Sequence, residues 1–388
     1  MDFPLVWAEV DLEAIAHNVR ELRRITDPGA DLMAVVKADA YGHGVVEVTR
    51  KALENGADSL GVARIEEGIE LRKAGFNESV LIFGYTPPAL AHKLIGFDLT
   101  QTVWSFNTAQ ALSHVAVSSN KQIKVHLKID TGMGRLGLLP DCRRPPATDQ
   151  NLMGNAIREA ESISSLAGLK LEGVYTHFAT ADSSDKVYAG KQFKIFIDFL
   201  NELRSDGLNP PLCHAANSAA IIDMPETHLD MVRAGIAIYG LYPSDEVNKR
   251  KIVLKPAMTL KSKIVHLKKV PPGFKVSYGS TYQTPKSTTI ASIPVGYADG
   301  FNRLLSSRGQ MLVRGRRAPI VGRVCMDQTM LDVGHIPDVD LEDEVVIFGR
   351  QEDESITVDE IAATLNTINY EIVSALTARV PRIYPKLS

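Results

Sequence analysis

Cysteine is scarce in this chain: Cys142, Cys213 and Cys325 are the only three, widely spaced and without a Cys-x-x-Cys pair. That excludes a disulfide framework and a zinc knuckle, leaves no expected metal site, and fits a reducing compartment. An excess of basic charge is also missing, since 43 Lys and Arg stand against 46 Asp and Glu for a net charge of -3. Nothing here would attract a phosphate backbone or an anionic membrane surface, so nucleic acid is not an expected partner. No uninterrupted apolar run reaches the ~18 residues of a membrane span. Met1 to Val10 carries Asp2 and Glu9 and lacks both a basic start and a long apolar run, so a cytoplasmic protein is expected, neither exported nor membrane-spanning.

What is present is an ordinary globular balance, 45% hydrophobic and 23% charged, over 388 residues. That length exceeds what one core usually supports, so two domains are expected. Over the first 245 residues or so, short apolar runs alternate with longer amphipathic stretches, the pattern of βα units on a parallel sheet. Eight runs stand out: Leu32–Lys37, Leu60–Ala63, Val80–Phe83, Gln101–Trp104, Ile123–Asp130, Leu171–Phe178, Leu212–Ala215 and Met231–Tyr239. Their number and span match a parallel (β/α)8 barrel, here residues 11–243, with Asp11–Ile25 as its first helix. After about Tyr242 the texture changes to β-branched runs broken by Pro and Gly. Strands are expected at Lys261–Val270, Thr288–Val295, Gln310–Val313, Ile320–Val324 and Glu344–Phe348, with a helix capped by Thr357 and Glu360. Residues 244–388, with strand-like Val6–Val10, therefore form a mainly antiparallel β domain. Cys142 to Thr148 reads as a solvated loop.

Ionisable residues collect at the C-terminal ends of the barrel runs: Lys37, Lys128, Asp130, His177, His214 and Arg233. In barrels that end is the catalytic face. Loops that merely begin with polar residues would explain any one of the six, less easily all. Lys37 ends an apolar run before the glycine-broken Ala38-Asp39-Ala40-Tyr41-Gly42-His43-Gly44, a setting that could desolvate an amine meant to attack an aldehyde. Ile123–Asp130 alternates strictly, so its polar face, with Lys128 and Asp130, should look into the barrel. Thr131–Arg135 is a glycine-rich turn that aims Arg135 either at a carboxylate ligand or into a plain salt bridge with Asp130. Ser218 and the Arg233-Ala234-Gly235-Ile236 turn follow runs seven and eight, the usual phosphate position of a barrel.

The stretch Val36-Lys37-Ala38-Asp39-Ala40-Tyr41-Gly42-His43-Gly44 closely resembles the cofactor-lysine signature of the alanine racemases. Further matches follow in order at Lys128–Arg135, Thr176-His177-Phe178, Asn217-Ser218, Arg233-Ala234-Gly235, Val276–Gly279, Gly296–Gly300, Cys325-Met326-Asp327 and Asn369-Tyr370-Glu371. The resemblance covers the whole chain. It implies a pyridoxal 5'-phosphate (PLP) enzyme that interconverts L- and D-alanine and supplies D-alanine for peptidoglycan. It further implies that Lys37 carries the cofactor and serves as one proton-transfer base, with Tyr278 as the opposing base. Tyr41, Ser218, Gly235, Ile236 and Tyr370 would hold the phosphate, and Arg233, oriented by His214, would face the pyridine nitrogen. His177 would bond Tyr278, because a tyrosine of ordinary pKa, ~10, is a poor base at neutral pH. Arg135 and the backbone at Met326 would meet the substrate carboxylate. Lys128, often carbamylated in the family, would orient Arg135. Family members are homodimers, so Tyr278, Tyr297, Met326 and Asp327 would reach the cofactor from the partner chain. Asp39 departs from the asparagine of many relatives.

Other readings are a serine or broad-spectrum racemase, a PLP decarboxylase of the same barrel class, and a non-catalytic PLP carrier. Arg233 opposes the decarboxylase, which benefits from an acidic partner that keeps the ring nitrogen protonated. The C-terminal domain with Tyr278 opposes the single-barrel carrier. Alanine over serine rests on the resemblance alone.

Overall fold

The computed structural model describes residues 4–140 and 152–385, and the loop expected at 142–148 lies outside them. The chain divides into two compact units, one of residues 14–40 and 45–255, the other of residues 1–13, 41–44 and 256–388. Among the described residues no helix is long and apolar enough to cross a membrane.

In chain order the strands begin with β1 (Val6–Val10), which belongs to the second unit, and continue with the eight of the first. These are β2 (Asp31–Val35), β3 (Ser59–Val62), β4 (Val80–Ile82), β5 (Thr100–Val103), β6 (Ile123–Lys128), β7 (Leu169–Tyr175), β8 (Leu212–His214) and β9 (Met231–Ala234). They form a closed parallel barrel, with β9 returning to pair with β2. Each of the eight apolar runs overlaps one of these strands, four of which begin one or two residues before the run. Burial on both faces is why β3 and β4 read as near-continuous apolar runs rather than alternating ones. Met33, Leu81 and Met231 form one apolar cluster, with Phe83 against it. A Cβ at Gly61 would lie 2.6 Å from the Phe83 ring and 2.9 Å from the Met33 sulfur, so that layer is filled by its neighbours. The run Met231–Tyr239 is a strand only to Ala234; Gly235 breaks it, and Ile236–Tyr239 is a 3-10 turn.

In the second unit, β1 pairs antiparallel with Met258–Lys263, Val6 opposite Ser262, within a seven-stranded sheet. The stretch Lys261–Val270 is not one strand but two, Met258–Lys263 and His266–Val270, which enter different sheets. Ile320–Val324 is not a strand either. Gly322 turns there with φ +73°, its α-carbon so close to Ser277 that a Cβ would meet the serine Cβ at 2.8 Å. The helix Val358–Leu365 has the expected cap, Thr357 Oγ1 accepting from the Glu360 amide at 3.0 Å. The Glu360 carboxylate turns away to pair with Arg317 at 2.6 Å. A second helix, Asn369–Ser374, follows.

Candidate active site

Lys37 leaves β2 into a turn of the wrong hand. Ala38, Asp39, Ala40 and Tyr41 all have φ between +52° and +54°, and Gly42 follows at +84°. For L-residues that conformation costs ~1–2 kcal/mol each, so the four non-glycine residues together store about 4–8 kcal/mol. Specific bonds hold it. The Ala38 amide donates to Glu67 Oε1 and the Val45 amide to Asp39 Oδ1, both at 2.7 Å. Asparagine has the same oxygen, so Asp39 performs a task that either residue could. Within the other unit Arg382 Nε donates to the Gly42 carbonyl at 2.8 Å, and the Tyr41 and Tyr370 rings lie 6.1 Å apart. Burial pushes the Tyr41 hydroxyl pKa up. Burial, then the charge of Arg135, pulls the Lys37 amine below its ordinary value.

Around the barrel from β2, Arg233 on β9 stands opposite Met33. It is a buried cation, and among the described residues no carboxylate pairs with it. Its Nη2 donates to the Thr176 and Ala215 carbonyls at 2.8 Å, and Nη1 to His214 Nδ1 at 2.8 Å. A longer contact, 3.3 Å, joins Nη2 to His177 Nδ1. Burial lowers its pKa to about 10, so it remains charged at neutral pH. Beside it Ser218 Oγ accepts from the Gly235 amide at 2.8 Å and, at 3.5 Å, from Ala237. Lys37, Ser218, Arg233, Gly235 and Ile236 thus lie at the C-terminal ends of adjoining strands β2, β8 and β9.

Across the barrel Lys128 lies buried 5.3 Å from the centre of the Tyr175 ring and donates to the Ile129 carbonyl at 2.8 Å. Burial, then Arg233, lowers its pKa to about 7. The salt bridge allowed for between Asp130 and Arg135 is not formed. Asp130 instead accepts the amides of Gly132, Gly134 and Arg135 at 3.0–3.1 Å, organising the turn while the Arg135 side chain stays exposed. Burial would raise the Asp130 pKa, but the Gly132 and Gly134 amides and then the charge of Lys128 outweigh it and hold the carboxyl low. His177 and His214 are kept neutral by burial and then by Arg233.

Two residues that sequence reasoning passed over belong to this cluster. Tyr175 stacks on His214 at 4.7 Å and 10°, lies 5.2 Å from the Arg233 guanidinium, and bonds Thr102 Oγ1 at 3.0 Å. His126, on the polar face of β6 two residues before Lys128, meets His214 at 2.9 Å. Its position on that alternating face was the available signal.

In the other unit, three loops bring Tyr278, Tyr297, Met326 and Asp327 onto exposed surface. Tyr278 is 71% exposed, Met326 54% and Tyr297 43%, a concentration of uncovered apolar side chains. The Tyr297 and Ala298 amides donate to the Cys325 and Met326 carbonyls, and Ser277 Oγ donates to the Arg323 carbonyl at 2.6 Å. Positive φ at Ser277 (+63°) and Gly279 (+73°) flanks Tyr278 and sets its presentation. Asp327 pairs with Arg379 at 2.9 Å.

Residues 10–243 match the alanine racemase N-terminal domain, and residues 257–384 the alanine racemase C-terminal domain. The chain is 56% identical over 381 residues to an alanine racemase of Desulfosudis oleivorans, covering 97% of this chain and 96% of the relative. Identity to the alanine racemase of Desulforamulus reducens is 51% over 379 residues, 98% of each. The solved alanine racemase of Clostridium difficile superposes with a TM-score of 0.92 at 40% identity, covering 99% of this chain and 97% of that one. Two successive domain matches and near-full-length identity at this level establish that the chain belongs to the alanine racemase family.

Proposed function

We propose that this protein interconverts L- and D-alanine with PLP held at the C-terminal end of the barrel, by proton transfer between Lys37 and Tyr278 on opposite faces of the α-carbon. The observation that carries the reading is the placing at adjoining strand ends of an amine depressed by burial, Lys37, and a buried cation, Arg233, that has no carboxylate partner among the described residues. The donor set fits the cofactor. Lys37 offers the amine for its aldehyde, Ser218 with the Gly235 and Ile236 backbone offers a phosphate seat, and Tyr41 with Tyr370 would close that end. Nη2 of Arg233 is committed to the Thr176 and Ala215 carbonyls and one Nη1 hydrogen to His214, and we assign to the ring nitrogen a donor of this guanidinium that remains. When bound, PLP would supply an electron sink that acidifies the α C–H bond of the amino acid.

The chain's own groups then decide where the proton goes. Desolvation shifts Lys37 toward its neutral form, the form able to accept a proton at Nζ on one face. His177 accepts from Arg233 at Nδ1, so its own proton sits on Nε2, a donor that would favour the phenolate of Tyr278 on the other face. Arg135 and the Met326 amide would hold the substrate carboxylate, with Lys128 supporting Arg135. The exposed Tyr278, Tyr297 and Met326 are what a covered interface would require. They support a homodimer in which Tyr278, Tyr297, Met326 and Asp327 complete the partner's site. The reading includes a cytoplasmic protein supplying D-alanine to peptidoglycan. PLP-loaded enzyme should convert L-alanine to D-alanine, read by chiral chromatography, with a kcat/KM at least ~10-fold above that for L-serine. No D-alanine, or equal turnover of serine, would refute the assignment.

A further inference from the structure

Arginine carries only donors, so the 2.8 Å contact from Arg233 Nη1 obliges His214 Nδ1 to be an acceptor. His214 is neutral in its buried setting, and its one proton therefore sits on Nε2. That nitrogen lies 2.9 Å from His126 Nδ1, which must accept in turn, leaving the His126 proton on Nε2. The opposite arrangement fails. If His126 donated, a neutral His214 would carry its proton on Nδ1, facing the Arg233 N–H with no acceptor between them.

The fold goes out of its way to place this acceptor. Pairing of β6 with β7 shifts register between Val125 and His126, so that His126 stands opposite Gly173 rather than Glu172. A Cβ at Gly173 would lie 2.7 Å from His126 Cε1 and 2.8 Å from Nδ1; the ring rests on bare backbone. His214 is then clamped on three sides, stacked on Tyr175, edge-on to His126 at 5.1 Å and 67°, and bonded to Arg233.

We propose that His126 is a positioning residue for Arg233, fixing His214 in the Nε2–H tautomer so that the guanidinium keeps one orientation toward the cofactor ring. Its service to the ring rests on the reading that Arg233 faces the cofactor; the tautomer pattern does not. Ring 15N signals of the full-length chain, cofactor-free and cofactor-loaded, should show Nε2–H for both His214 and His126. In His126→Leu, which removes the acceptor, the His214 signals should move to a tautomer mixture. The pH midpoint of the bound cofactor's absorption should shift, and kcat should fall roughly tenfold with KM for alanine nearly unchanged, the scale of a lost outer-shell partner. His126→Asn, which restores an acceptor oxygen, should recover most of this. Gly173→Ala, which displaces the ring without altering it, should reproduce the loss and serves if the leucine variant does not fold. A wild-type His214 protonated on Nδ1 would overturn the proposal, as would unchanged His214 signals and cofactor absorption in both His126→Leu and Gly173→Ala. If Arg233→Gln leaves the cofactor absorption untouched while the tautomer pattern holds, the placement of Arg233 against the ring is wrong and the role of His126 toward it falls with it.

Discussion

Replacing Lys128 with methionine should stabilise the protein at neutral pH and flatten its pH dependence. The amine is buried, held by one carbonyl and by the Tyr175 ring face, and burial followed by Arg233 brings its pKa from 10.5 down to about 7. In the unfolded chain it titrates near its ordinary ~10.4. Between these values the unfolded chain binds more protons than the folded one, so stability rises with pH from ~7 to ~10.4. The cost of burial is full below that window and gone above it. At ~1.4 kcal/mol per pH unit it amounts to about 4 kcal/mol at pH 7 and about 2 kcal/mol at pH 9. The difference, about 2 kcal/mol, corresponds to ~4–8 °C in midpoint for a unit of this size. Methionine keeps the length and removes the charge. Thermal unfolding of both proteins in carbon dioxide-free buffer should show the variant ahead at pH 7 and its lead shrinking by that amount at pH 9. Parallel curves would refute the reasoning. Bicarbonate should raise the wild-type midpoint alone, since a carbamylated lysine no longer buries a cation.

Borohydride reduction of the PLP-loaded enzyme followed by peptide mapping should place the pyridoxyl group on Lys37; recovery on another lysine would sink the assignment. Lys37→Ala and Tyr278→Phe should each be nearly inactive alone, yet after mixing and subunit exchange should regain about one quarter of wild-type activity, because half the dimers are mixed and half their sites intact. No recovery, with exchange shown independently, would reject shared sites. Gly42→Ala should destabilise by about 2–5 kcal/mol in chemical denaturation, since its Cβ would sit 2.3 Å from the Val373 carbonyl at a φ of +84°; a change under ~0.5 kcal/mol would contradict it.

The barrel was legible because strands buried on both faces tend to be apolar, as Val80–Ile82 is, and eight short runs alternate with amphipathic stretches. The cation cluster was legible where a charge ends an apolar run, as at Lys37 and Arg233. His126 and Tyr175 were harder. Which inward residues meet depends on how neighbouring strands are staggered, and the shift at Gly173 that brings His126 to His214 leaves no mark in either strand alone. Ile320–Val324 has strand composition, but Gly322 must turn to clear Ser277, a contact 45 positions away in sequence. The left-handed turn was beyond reach, because Ala38, Ala40 and Tyr41 have no local preference for it and part of its support, at Gly42 and Tyr41, is remote.

That remoteness gives the turn a place in time. Gly42 and Arg382 are separated by 340 positions, and Val373, Tyr370 and Tyr384 also lie near the end of the chain. At a synthesis rate of ~5–20 residues per second, roughly 17–70 s pass between emergence of the lysine segment and emergence of the residues that hold its reversed backbone. Until then the eight strands can close and the Glu67 and Asp39 bonds can form, but the turn beyond Lys37 lacks the contacts at Gly42 and Tyr41 that complete its support. On the proposed function, full competence to take up the cofactor would come only after residues 370–384 have emerged, and a ribosome stalled before Asn369 would carry a barrel whose lysine loop is only partly held.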